Sequence, residues 1–147
     1  MPDRSAVLEI PSTLRKSLES EAREAYPEEC CGVLLGQYRQ VGTREQATVT
    51  ALRPTANAAV DHRWRRYEIA PEELLAVYQE VRARDADLIG YYHSHPDAAA
   101  EPSDRDLAAA QPGVSYLIVA IGRREVTDCR AWRLRPDRGG FDELQIG

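Results

Sequence analysis

The stretch Asp87–Asp106, DLIGYYHSHPDAAAEPSDRD, decides how the rest of the chain is read. It begins as a run rich in strand formers and ends that run in His93-Ser94-His95. On a strand, residues i and i+2 point to one face, so both imidazoles can converge on a single point. Pro96 and Pro102 bound a loop, and Ser103 opens a short helix through Ala110 with Asp106 in its first turn. The loop can fold that carboxylate back over the strand end. Two neutral imidazoles and a carboxylate suit zinc and leave a fourth tetrahedral position for water, as catalytic sites require. Bound zinc lowers the pKa of such a water to about 7. The same spacing has a plainer reading, because Ser103-x-x-Asp106 also resembles a capping box with Asp in place of Glu. Spacing alone leaves both open.

Outward from this stretch the periods mix. Upstream, Leu14, Leu18, Ala22 and Ala25 recur at helical spacing after Pro11-Ser12, and Pro27 ends that helix. CCGVLLGQY (30–38) reads as a buried strand, with QATVTALRP (46–54) as its antiparallel neighbour across a turn near Gly42. Residues 55–66 follow neither period and read as a loop, and RRYEIA (65–70) as a short strand. Pro71 fits the first turn of a helix with Leu74, Leu75, Tyr78 and Val81 on one face. Downstream, VSYLIVAIG (114–122) is a central strand, VTDCRAWRL (126–134) its hairpin partner, and the tail an edge strand. Helices and strands without regular βαβ alternation give an α+β class, a mixed α/β sandwich.

Composition bounds the partners. A chain of 147 residues suits one domain spanning 1–147, with enough surface to bury for a core. With 19 basic and 24 acidic residues the net charge is −5, which argues against nucleic acid or an anionic membrane as partner. No apolar run approaches a membrane span, and MPDRSAVLEI lacks a signal-peptide core, so the expected setting is the cytoplasm. Cys30, Cys31 and Cys129 are an odd number without CxxC spacing and read as small core residues.

HSHPDAAAEPSDRD (93–106) matches H-x-H-P-x6-S-x2-D and resembles the JAMM (MPN+) zinc metalloprotease family. Upstream, YPEECCGVLLG (26–36) looks like the family's P-x-E-x-C-G segment, and NAAVDHRWRRYEIAPEEL (57–74) is similar to the connecting region of small bacterial members. The resemblance covers nearly the whole chain. It implies the MPN/JAMM, cytidine-deaminase-like fold, in which helices flank a central, mostly antiparallel sheet. It makes His93, His95 and Asp106 ligands of one Zn2+ per chain, and Glu29 the general base. Glu28 is the rival for that role on chemistry alone. Ser103 matches the serine that helps hold the oxyanion, a role compatible with capping. His62, in the aromatic and basic DHRWRR segment (61–66), reads as part of a solvated surface loop.

The implied substrate is a ubiquitin-like sulfur-carrier protein ending in Gly-Gly. Cysteine release, precursor trimming and lysine deconjugation all fit, and the compact chain suits a small leaving group. The competing reading is a non-catalytic MPN-type scaffold. Exposed strand edges would allow a homodimer.

Overall fold

A computed structural model of the chain describes residues 3–147; Met1 and Pro2 lie outside the described residues. The elements in chain order are β1 (Asp3–Glu9), α1 (Ser12–Ala25), β2 (Cys31–Val41), β3 (Arg44–Thr55), α2 (Pro71–Ala83), β4 (Asp87–Pro96), α3 (Asp104–Ala109), β5 (Ser115–Gly122), β6 (Glu125–Leu134) and β7 (Phe141–Ile146). No helix among the described residues is long and apolar enough to cross a membrane.

The strands close into a barrel in the order β1-β3-β2-β4-β5-β6-β7. The sequence predicts a mixed α/β sandwich around a central sheet; here that sheet closes on itself. The tail is not an edge strand, because β7 pairs antiparallel with β6 on one side and parallel with β1 on the other. The β4–β5 and β1–β3 pairs are also parallel, and the remaining pairs are antiparallel. Closure satisfies the backbone groups that an edge leaves open over the paired stretches.

Alternation along the strands divides the core in two. Inward-facing Leu8, Leu34, Val49, Tyr92, Leu117, Ala131 and Leu144, one from each strand, pack with Leu18 and Ala22 of α1. On the opposite face Val33, Leu35, Tyr91, Tyr116 and Leu134 pack under α2. On α2, Val77 is buried and Leu74 and Val81 are partly buried against this face, whereas Leu75 and Tyr78 are 57% and 45% exposed. The expected face was therefore rotated, since a stripe at i, i+3 and i+7 from Leu74 omits both.

RRYEIA forms no strand. Its backbone is satisfied elsewhere: Asn57 Nδ2 donates to Arg66 O at 3.0 Å, Asn57 Oδ1 accepts from Glu68 N at 3.2 Å, and Ala58 N donates to Glu68 O. Residues 56–70 are thus one connection, shaped by a side chain rather than by a neighbouring strand.

One irregularity decides where the histidines point. On β4, Gly90 pairs with Leu34 but Leu88 pairs with Leu35, so Ile89 is an extra residue opposite β2. Such a bulge reverses the face that every later side chain occupies. Leu88 packs on the α2 face and Ile89 inside, yet Tyr91 is again on the α2 face and Tyr92 inside. Counting on by two from Tyr91 puts His93 and His95 on the α2 face; without the bulge they would face the apolar interior.

Gly90 is required beside this bulge, because a Cβ there would lie 1.8 Å from Ser115 O of β5. Gly90→Ala is expected to lower stability by about 3 kcal/mol in urea denaturation, as backbone overpacking does. Gly42→Ala, at a turn with φ of 65° and open space around it, should cost only about 1 kcal/mol.

Candidate metal centre

His93 and His95 end β4, and α3 brings Asp106 against them. The two Nε2 atoms are 3.1 Å apart; Asp106 Oδ2 is 3.0 Å from His95 Nε2, and Oδ1 is 3.3 Å from His93 Nε2. Both histidines are buried. Asp106 is oriented by the capping box that the sequence suggests: Asp106 N donates to Ser103 Oγ at 3.1 Å, and Ser103 N donates to Asp106 Oδ2 at 2.9 Å. Capping and convergence on the histidines are therefore not alternatives. The cap fixes the carboxylate that meets them.

The donor set fits a metal ion. His95 Nδ1 lies 2.8 Å from Ala99 O, an atom that only accepts, so Nδ1 carries the hydrogen. In the neutral ring Nε2 is then a bare lone pair, directed at a carboxylate. Lone pairs that converge in this way need a cation or a proton between them. Ligand atoms about 2.0–2.1 Å from a tetrahedral zinc stand roughly 3.3 Å apart, close to the observed separations. The ring of His93 is held differently, stacked on Tyr67 with centroids 4.6 Å apart. Tyr67 lies in the segment read from sequence as a strand, and no periodicity could have pointed to it.

Glu29 precedes β2 and is only 4% exposed. Ser94, between the two histidines, accepts Cys30 N at 2.8 Å on its Oγ and donates its own N–H to Cys30 O. Cys30 packs into the inner core, which turns Glu29 the other way. Glu29 N donates to Arg63 O at 2.7 Å, and Glu29 O accepts from Asn57 Nδ2 at 3.2 Å. Its Oε1 is buried with no hydrogen-bond partner among the described residues. With His95 and Ser103 it lines a cavity of about 620 Å³. Glu28 is half exposed, 4.0 Å from Arg63, and absent from that lining. Sequence reasoning missed Ser94 and Asn57, whose roles appear only once β2, β4 and the 56–70 connection are side by side. A second cavity of about 380 Å³ lies on the Asp106 side, lined by Arg66, Tyr67, Ile69, Leu74, Arg105 and Tyr116 among others.

The residues set aside from sequence stay outside the cluster. His62 is exposed, edge-on to Trp64. Cys30 and Cys31 are free and buried, and burial pushes their thiols up to about 12 and about 11, so neither supplies a thiolate near neutral pH.

Burial lowers the His93 pKa, and it also opposes a charge on His95. There the hydrogen bonds to Asp106 and Ala99 outweigh burial and raise the pKa. Burial opposes the Asp106 carboxylate too, but hydrogen bonds from His93 and His95 hold its pKa well below the usual range. A proton on His95 Nε2 and a metal ion compete for one lone pair. Glu29 is pushed up to about 8, chiefly by burial, against the opposing pull of His95. In the metal-free protein the folded state therefore keeps the Glu29 proton that the unfolded chain loses near pH 4.5. The associated stability is complete below pH 4.5 and is lost as pH rises toward about 8. In chelator, wild type should lose a few kcal/mol relative to Glu29→Gln across that window, at about 1.4 kcal/mol per unit. Parallel urea-denaturation stabilities for the two proteins at pH 5 and pH 8 would contradict this.

A family model described as prokaryotic homologs of the JAB domain matches residues 11–135. The chain is 37% identical over 119 residues to a desampylase of Haloferax volcanii, covering 78% of this chain and 81% of that protein. It is 28% identical over 129 residues to the CysO-cysteine peptidase of Mycobacterium tuberculosis, covering 87% of this chain and 83% of that protein. The solution structure of a protein from Desulfitobacterium hafniense matches with a TM-score of 0.78 at 28% identity, over 95% of this chain and 91% of that one. A JAB1/MPN domain protein from Archaeoglobus fulgidus matches with a TM-score of 0.56 at 17% identity, over 94% and 97% of the two chains, and so shares the fold. With the family model covering most of its length, the chain belongs to the prokaryotic homologues of the JAB domain.

Proposed function

We infer that the chain is a zinc-dependent peptidase or isopeptidase that cleaves the bond after the C-terminal Gly-Gly of a ubiquitin-like sulfur-carrier protein. The observation that carries this reading is the convergence of His93, His95 and Asp106 beside Glu29, a buried carboxyl whose Oε1 has no hydrogen-bond partner among the described residues. The relatives named desampylase and CysO-cysteine peptidase support the substrate class.

His93 Nε2, His95 Nε2 and the Asp106 carboxylate would hold the ion. Zinc there supplies Lewis acidity, which makes water a competent nucleophile near neutral pH. A cation next to Glu29 favours its carboxylate form, countering the burial that raises its pKa. Glu29 then takes a proton from the attacking water and returns it to the departing amine. Ser103 Oγ accepts the Asp106 N–H, so its own hydroxyl hydrogen is free to donate to the oxygen of the scissile carbonyl as charge builds there. The thiols have no part in this scheme.

The scaffold reading depends on lost ligands, whereas here all three converge. Metal content separates the two: protein from zinc-replete medium should carry about one zinc per chain, the single-site complement of three protein ligands.

Zinc-loaded protein should be incubated with a Gly-Gly carrier in cysteine-extended, lysine-linked and C-terminally extended forms, with cleavage read by intact mass. Loss of only the added group from at least one form is expected; no cleavage of any form by zinc-replete protein would overturn the substrate class. Glu29→Gln should keep its zinc and lose roughly 10²–10⁴-fold in turnover, the scale of a lost general base. Asp106→Ala should lose most of its zinc along with its activity. An active, metal-replete Glu29→Gln would move the base to Glu28.

A further inference from the structure

Which amine departs can be read from the cavity on the Glu29 side. This inference rests on the peptidase reading above. Glu29 returns the proton to the leaving nitrogen and Ser103 meets the scissile carbonyl, and both line this cavity, so the scissile bond and the leaving group lie in it while the rest of the acyl chain runs toward the Asp106 side. The leaving-group cavity is walled by small apolar residues, including Pro27, Ala98 and Pro102. Its charged lining, apart from the ligand His95, is Glu29, Arg65, Asp97 and Glu101.

Two of these charges are already engaged. Both Asp97 carboxylate oxygens lie within 2.9 Å of the Tyr26 hydroxyl, which donates to them. Glu101 faces Arg130 at 3.8 Å. Arg65 differs, with no carboxylate at salt-bridge distance among the described residues. Its guanidinium carbon sits 5.1 Å from the centre of the Trp64 ring. The backbone beneath is fixed, since Arg65 N donates to His62 O at 3.0 Å and the neighbouring Arg63 O accepts from Glu29 N. Stacking on an aromatic face holds a guanidinium while leaving its N–H edge available, the geometry that suits a bidentate carboxylate.

A carboxylate stands one carbon from the leaving nitrogen when the departing group is an amino acid attached through its α-amine. A lysine side chain leaves through a nitrogen at the end of a four-carbon stem, with no carboxylate nearby. We propose that Arg65 is a specificity-determining residue that binds the α-carboxylate of a single amino acid joined after Gly-Gly. The reaction so selected is release of that amino acid. Water oxygen adds to the glycine carbonyl carbon, the C–N bond breaks, and the proton taken from water reaches the departing nitrogen through Glu29. The products are a Gly-Gly carboxylate and a free amino acid, with no change of oxidation state.

The test uses the zinc-loaded full chain and a ubiquitin-like carrier ending Gly-Gly-Cys, prepared as the free acid and as the C-terminal amide. Wild type is expected to cleave the acid at least tenfold more efficiently, with the difference in KM. Arg65→Ala should lose that preference by weakening only the acid, and Arg65→Lys should recover part of it. Since Arg65 is exposed, unchanged zinc content and an unchanged urea-denaturation midpoint report intact folding of both variants. Equal cleavage of acid and amide by wild type, or an equal loss on both in Arg65→Ala, overturns the assignment and leaves the peptidase reading standing. Cleavage of neither form, nor of a lysine-linked carrier, overturns both.

Discussion

Two imidazole nitrogens and a carboxylate repel one another when their lone pairs face inward, and burial denies them the water that would relieve this. Around His93, His95 and Asp106 the protein nonetheless holds these atoms within 3.0–3.3 Å. The Ala99 carbonyl fixes the tautomer of His95, Ser103 fixes the carboxylate of Asp106, and Tyr67 backs the ring of His93. Two of these restraints come from the short connection between β4 and α3, and the third from the distant 56–70 connection. The cluster is therefore built largely within residues 93–106, with Tyr67 the support that the rest of the fold supplies.

The same assembly ties the candidate base to the histidine cluster. Ser94 faces away from the cluster, yet its hydroxyl and its N–H both bond to Cys30, so the strand that carries the histidines also sets the residue after Glu29. Asn57 then uses its whole amide: it holds the Glu29 carbonyl and both ends of the connection that carries Trp64, Arg65 and Tyr67. Along that connection Arg65 lines one cavity and Arg66 the other. A shift of this short span would alter both cavities and the support of His93 together.

How much of this was legible depended on the range of the interaction. The His-x-His period, the Ser-x-x-Asp turn and the helical spacing of Leu14, Leu18 and Ala22 are local patterns, and the structure places those side chains together as the patterns suggest. Glu29 could be separated from Glu28 only by resemblance, because neighbouring carboxylates look alike until one is buried. The rest lay in contacts between distant segments. Closure by β7 needs a parallel partner, β1, that lies at the other end of the chain. RRYEIA has strand composition, but Asn57 occupies the hydrogen bonds a strand would need. The Ile89 bulge, which gives the histidines their face, has no sequence sign beyond the glycine after it.

Glu29 weighs most between an enzyme and a scaffold. A buried carboxyl oxygen without a partner among the described residues is a cost to folding, and a neutral amide there would at least avoid burying a charge. Nothing in the packing around Glu29 requires the acid: its backbone makes the contacts that locate the segment, and its Oε1 makes none. Asp106 has a structural reason to be an acid, since it caps α3. Glu29 has no such reason, so its side chain argues for proton transfer in a way that the ligand cluster alone does not.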